Sequence, residues 1–230
     1  MNRFFSFLII FSSVFASSAF AQKTNAYQGF YGQVALGYEG DNVNASSVNN
    51  VGSPSSSTSL PSSKKSTLAG IIGVGYTFGI DSRWSVGLGL DYGPITSKTD
   101  NAVGSPDTIG LKVANRFNVF VTPGYSFGTL GDQLVYMKAG YSNEQLQASY
   151  QTSGPSSGQS LGNSNVNGYV LGLGYKTPLV SGIYAYGEAN YYSYSGASFS
   201  ATTLSNGNTI SGYNPNTSAY QLLLGVGYKF

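Results

Sequence analysis

Seven charged residues stand where chemistry could be done. Glu39, Asp91, Lys112, Arg116, Lys138, Glu144 and Glu188 each interrupt an otherwise uncharged, alternating segment. A carboxylate held near a second titratable group can act as a general acid or base. Held beside Arg or Lys, it forms an ion pair instead. The chain carries 11 Lys and Arg against 9 Asp and Glu, with no histidine and no cysteine. The missing histidine removes the mechanisms in which an imidazole activates serine or water. Metal sites built from His or Cys are excluded in the same way. Calcium takes carboxylate oxygens, but no ligand motif supports an incidental site in the loops of Asp41, Asp100 or Asp107, so no metal and no cofactor is expected. The phrases "GVGYTF" (73–78), "GLGYKT" (172–177) and "GVGYKF" (225–230) suggest a phosphate loop. Their glycines lie inside strand-like segments with no helix after them, which removes the anion-binding helix terminus that such a loop needs. The near balance of charge gives no case for nucleic acid.

The elements that position these residues alternate with period two, the signature of strands. In "WSVGLGLDY", Trp84, Val86, Leu88, Leu90 and Tyr92 share one face, and Ser85, Gly87, Gly89 and Asp91 the other. Ile71, Phe120 and Leu223 are exceptions that fall on the small or polar side. Eight such segments are predicted near 30–39, 67–78, 84–93, 109–127, 134–146, 167–176, 183–194 and 218–230. Short turns at 79–83, 128–133 and 177–182 alternate with long connections at 40–66, 94–108, 147–166 and 195–217. "SSVNNVGSPSSSTSLPSSKKS" reads as mobile, poorly packed loop. Ahead of these segments, "MNRFFSFLIIFSSVFASSAFAQ" has a positive start at Arg3, an apolar run from Phe4 to Phe15 and small residues around Ala21. That is a secretory signal peptide, so residues 1–21 are expected to be cleaved and 22–230 to form one domain.

The non-apolar face is mostly Gly, Ser, Ala and Asn, and it collects the strand charges. Burying those charges in an apolar core would be costly. In the lumen of a membrane barrel they can pair, while the apolar face meets lipid. The prediction is therefore all-β: an eight-stranded antiparallel transmembrane up-and-down β-barrel with short periplasmic turns and four long extracellular loops. Tyr76, Phe78, Trp84, Tyr125, Phe127, Tyr175, Tyr228 and Phe230 should form its periplasmic aromatic girdle. The seven charges should form a structural network: Asp91 pairs with Arg116, Glu144 joins Arg116, and Lys138 meets Glu188 across the lumen. Tyr184 and Tyr186 share a face with Glu188, so they should turn inward and lie over lumen-facing glycines. A bulge or strand end is expected at Pro123.

With strands and faces assigned, "FYGQVALGYEGDN", "RFNVFVTPGYSFG", "LVYMKAGYSNEQL" and "LLLGVGYKF" resemble the small outer-membrane β-barrels of Gram-negative bacteria. These are the OmpA-like and opacity-type proteins, also described as outer membrane protein beta-barrel domain or porin family proteins. The resemblance implies insertion by the barrel-assembly machinery, with Leu224, Val226, Tyr228 and Phe230 matching the terminal assembly signal. It further implies a monomer in the bacterial outer membrane, in contact with outer-membrane lipid and lipopolysaccharide, and with an extracellular partner for the loops. The leading functional expectation is a non-enzymatic structural or surface-interaction protein. A narrow ion or small-solute channel is the alternative, and a histidine-independent outer-membrane enzyme the third.

Overall fold

The computed structural model describes residues 25–44, 46–52, 55–95, 97–98, 102–103, 108–151 and 157–230. Residues 1–21, Asp100 and Asp107 lie outside the described residues. Eight long strands carry the fold: β1 (Gly29–Val43), β2 (Ser63–Gly79), β3 (Trp84–Gly93), β4 (Thr108–Phe127), β5 (Gln133–Tyr150), β6 (Ser160–Val180), β7 (Ile183–Tyr194) and β8 (Thr217–Lys229). Each pairs antiparallel with its neighbours in sequence, and β1 pairs with β8. The ring is therefore closed, and no long strand is left with an open edge along its whole length. All eight predicted segments fall within these strands, apart from the final residue, Phe230.

The short turns are tightly held. In the β2–β3 turn, the Asp81 carboxylate accepts from the backbone amides of Trp84 and Arg83 at 2.7 and 2.6 Å. Those amides, with the Arg83 charge nearby, hold its carboxyl below the usual carboxylate range. Gly182 closes the β7 hairpin at a φ of 75°, where a side chain would be strained.

The outer surface has three zones. Phe30, Tyr76, Phe78, Trp84, Tyr125, Phe127, Tyr175, Tyr228 and Phe230 form an outward aromatic band at the short-turn end. Ring contacts run from 4.6 Å (Tyr76–Phe78) to 6.2 Å (Phe127–Tyr175). A second outward band comprises Tyr38, Tyr92, Phe117, Tyr141, Tyr169, Tyr191 and Tyr220. Eight residues separate Phe30 from Tyr38 and Tyr220 from Tyr228, about 20 Å at roughly 3.3 Å per residue and a tilt near 40°. Valine, leucine and isoleucine fill the interval, including Val34, Leu36, Leu88, Leu222 and Leu224. This is the height and pattern of a lipid-facing belt.

Above the second band the pattern inverts. β4, β5 and β6 continue for about nine more residues, with polar side chains outside and Ile109, Leu111, Val113, Leu146, Ala148, Leu161 and Val166 buried inside. In β4 this arrangement depends on a bulge. The register to β5 shifts between Ala114 and Phe117, and Asn115 takes a φ of 52°, the one positive value at a described non-glycine residue. The extra residue switches parity, so odd-numbered Leu111 and Val113 face the same side as even-numbered Arg116, Asn118 and Phe120. Lys112 is consequently turned outward and half-exposed, and does not face the lumen as its place in an alternating run suggested. Pro123, by contrast, causes no bulge. The ladder to β5 passes over Thr122 and Pro123 and resumes in the same register.

The described residues of the long connections at 44–62 and 195–216 are built into structure, not loose. Ser46–Val51 pairs with Ser56–Leu60 and with Thr209–Ser211, which pairs with Thr202–Thr203. This four-stranded cap buries Val48, Leu60, Phe199, Leu204, Ile210 and Tyr213 against the inner wall of β4–β6. The expectation of a poorly packed first loop is thus corrected: the apolar residues scattered among its serines are anchors for a shared core. Because the inversion relies on a left-handed residue, Asn115→Val should lower stability by about 1–2 kcal/mol while Asn115→Gly is tolerated. Urea unfolding midpoints in lipid vesicles would show the ordering.

Candidate functional site

Strand alternation sends Glu39 and Asp41 (β1), Asp91 (β3), Arg116 (β4), Lys138 and Glu144 (β5) and Glu188 (β7) into the barrel, where all seven are buried. They form two clusters. Arg116 donates to Glu39 and to Glu144 (Nη2–Oε2 2.9 Å), with Asp41 at 3.8 Å. Lys138 donates to Asp91 at 2.7 Å and to Glu188 at 2.9 Å. In a ring of eight, β1 lies opposite β5 and β3 opposite β7. The Glu39–Arg116–Glu144 cluster therefore spans one diameter, and Asp91–Lys138–Glu188 spans the diameter at right angles to it. The lumen is crossed by two ionic struts.

Neutral partners complete both. Gln221 donates to Glu39 at 2.6 Å, and Thr217 to Glu144 at 3.1 Å. Tyr136 and Asn190 each donate to Glu188 at 2.8 Å, and Asn118 donates to Asp91. The Arg116 guanidinium lies 4.3 Å from the Tyr192 ring centroid, and the Lys138 ammonium 4.2 Å from that of Phe120. Aromatic faces thus cover cation surface that the carboxylates leave open. The expected Glu144–Arg116 and Lys138–Glu188 pairs are present. The expected Asp91–Arg116 pair is not. The ladder sets Asp91 opposite Asn118 and Arg116 opposite Gly93, so Arg116 reaches up to Glu144 while Lys138 takes Asp91.

Below the struts the lumen is filled by rings. Tyr184 lies over Gly227, Tyr186 over Gly225 and Tyr136 over Gly174, close enough that a β-carbon at any of these glycines would collide with the ring. The inward reading of Tyr184 and Tyr186 holds. Sequence reasoning passed over Lys176, whose ammonium sits 4.4, 4.8 and 5.3 Å from the ring centroids of Tyr31, Tyr184 and Tyr136. No carboxylate stands within ion-pairing distance of it among the described residues. The signal was available: Lys176 follows outward Tyr175 and so must point inward. Tyr27 closes the bottom, donating to the Asp132 carbonyl at 2.7 Å and meeting Tyr184 edge-on at 5.9 Å. Beside Glu39, Arg116, Asn118 and Gln221 remains a cavity of about 20 Å³, room for about one water.

These features are those of a membrane barrel with a solid interior. The sequence matches the profile of the outer membrane protein beta-barrel domain across residues 7–230. The chain belongs to that family. It is an outer-membrane protein of the Gram-negative type, and its aromatic bands are the two edges of its lipid belt. A comparison with curated proteins returns no match. Among solved structures, it is similar to Ail, the attachment invasion locus protein of Yersinia pestis, which was solved in complex with the heparin analogue sucrose octasulfate. Identity is 14%, coverage 88% of this chain and 100% of that one, and the TM-score 0.48. Neisserial surface protein A matches at 14% identity over 88% and 98%, with a TM-score of 0.46. The outer membrane protease OmpT of Escherichia coli matches at 8% over 94% and 99%, with a TM-score of 0.49. Such likenesses do not carry an activity across to this family member.

The struts predict an asymmetry. Lys138→Met leaves Asp91 and Glu188 buried without their cation and should cost about 3–5 kcal/mol of folding stability. Adding Asp91→Asn and Glu188→Gln should return most of it, as read by unfolding in lipid vesicles. A second test concerns the rings. Gly227→Ala should destabilise by about 1–3 kcal/mol, and by clearly less in a Tyr184→Leu background.

Proposed function

We propose that this protein is a non-enzymatic, non-conducting outer-membrane barrel that acts at the cell surface through its ordered extracellular cap. The observation that carries this reading is the obstruction of the lumen. Stacked along one axis are the tyrosine and Lys176 layer, two perpendicular ionic struts, and the apolar core under the cap. An eight-stranded barrel encloses little more than its own side chains, and here they meet across it. The channel reading would need several of these layers to move together.

The non-enzymatic part rests on the absence of histidine and on the state of the buried carboxylates. Each lumen acid already faces Arg116 or Lys138, so none is placed to exchange protons with a substrate. The cap, by contrast, is suited to recognition. Cross-strand pairing between residues 46–60 and 202–211 gives the surface a fixed shape before any partner arrives, which lowers the ordering cost of binding. The proposal includes export through cleavage of residues 1–21. It also includes delivery to the barrel-assembly machinery by the last strand, whose Leu224, Val226, Tyr228 and Phe230 line its outward face.

Planar-bilayer recording decides between the barrel types. The purified protein should leave the bilayer silent, and discrete openings that change with Arg116→Ala would overturn the closed reading.

A further inference from the structure

The outer face of the β4–β6 wall, above the lipid belt, is dominated by side-chain amides. On β5, Asn143, Gln145, Gln147 and Ser149 follow one another at every second position, with Gln151 just beyond the strand's end, all half-buried. Asn163, Asn165 and Asn167 of β6 stand beside them in register with Gln147, Gln145 and Asn143. Asn115 of β4 flanks the lower rows. No acidic residue occurs on this face among the described residues, and Lys112 is its one cation.

The amides are joined to the top of the belt. Tyr92 donates to Asn115 at 2.8 Å and Tyr141 donates to Asn167 at 2.5 Å. Asn143 donates to Asn167 at 2.8 Å, Asn115 to Gln145 at 3.4 Å, and Gln147 to Gln145 at 3.1 Å. The face is thus continuous with the lipid-contacting surface: same strands, same side, with tyrosine hydroxyls at the border. Eight residues above Tyr141, Ser149 stands about 20 Å higher at the strand rise and tilt used above. The headgroup layer of an ordinary bilayer adds only about 5–7 Å beyond the hydrocarbon on each side. Most of the wall therefore rises through whatever sits outside the headgroups.

We propose that this amide face docks the sugars of the outer-leaflet lipid, the core oligosaccharide of lipopolysaccharide molecules packed against the barrel. A side-chain amide offers two donors and an acceptor in one plane, and a sugar ring offers hydroxyls that both donate and accept. Rows of amides spaced by the strand pleat give such rings repeated paired contacts. The lack of carboxylates removes repulsion from the anionic groups of that lipid, and Lys112 supplies a single attraction. The acyl chains of the same lipid lie against Leu171, Leu173 and Met137 directly below, so one molecule meets both surfaces. The inference rests on the membrane placement of the barrel and not on what the cap binds.

The test uses the full chain in lipid nanodiscs, probed with core-bearing rough lipopolysaccharide and, separately, with lipid A lacking core sugars. The variant is Gln145→Ala, Gln147→Ala, Asn165→Ala, checked for heat-modifiable migration. The core-bearing lipid should bind the parent protein more tightly than lipid A does. The variant should lose about tenfold of that affinity, the effect of a few hydrogen bonds, with lipid A binding unchanged. Equal affinity of parent and variant for the core-bearing lipid would overturn the proposal, as would equal affinity of the parent for the two lipids.

Discussion

A closed ring of eight strands leaves a narrow interior with little room for water, and every charged side chain pointing into it must find a partner there. That constraint organises this protein. Arg116 and Lys138 each join carboxylates that stand on opposite strands, β1 with β5 and β3 with β7, so the pairs brace the cross-section as well as neutralise charge. Buried ion pairs contribute little net stability against an apolar alternative, but removing one partner is expensive. The struts therefore act chiefly to fix which strands face which. A register slip of one residue would turn Lys138 into lipid and leave Asp91 and Glu188 unpaired.

The second constraint is the change of solvent along the strand axis. Within the belt, the protein is apolar outside and polar inside. Above it, water surrounds the walls, and the arrangement must reverse. β5 makes the change through composition alone: Lys138, Ser142 and Glu144 give way to Leu146, Ala148 and Tyr150 on one uninterrupted inward face. β4 could not do so, because its apolar residues at 109, 111 and 113 stand on the wrong parity for Arg116. The bulge at Asn115 corrects it. A left-handed residue, which ordinarily signals strain, here marks the border between two solvents.

How much of this was legible depended on the range of the determinant. Strand existence and facing are local, encoded in period-two alternation, and the sequence reading placed all eight strands, the outward girdle and six of the seven network charges correctly. Lys112 was misplaced because a bulge leaves the same letters and shifts only their phase. The partner of Asp91 was misassigned because a pairing depends on the stagger between strands, a property of the closed ring and not of any one segment. Lys176 was overlooked because a lysine among aromatic rings breaks no local pattern. The cap was missed for another reason. Val48, Leu60, Phe199, Leu204 and Ile210 are sparse within serine- and asparagine-rich stretches, and their meaning appears only when two connections about 150 residues apart share one core.

These constraints together bear on where binding can occur. A lumen filled by struts and tyrosines has no free surface, and the cap's inner face is spent on its own core. What remains outside the lipid belt is the cap's exterior and the walls that lift it. The walls are rich in amides although plain solvation would accept lysine and glutamate as readily. Charges of either sign would attract or repel whatever ions border the walls, whereas amides engage their surroundings through hydrogen bonds alone. On a barrel whose interior already carries five carboxylates and three cations, the near absence of charge from these walls belongs to their outer face and not to the strands as a whole.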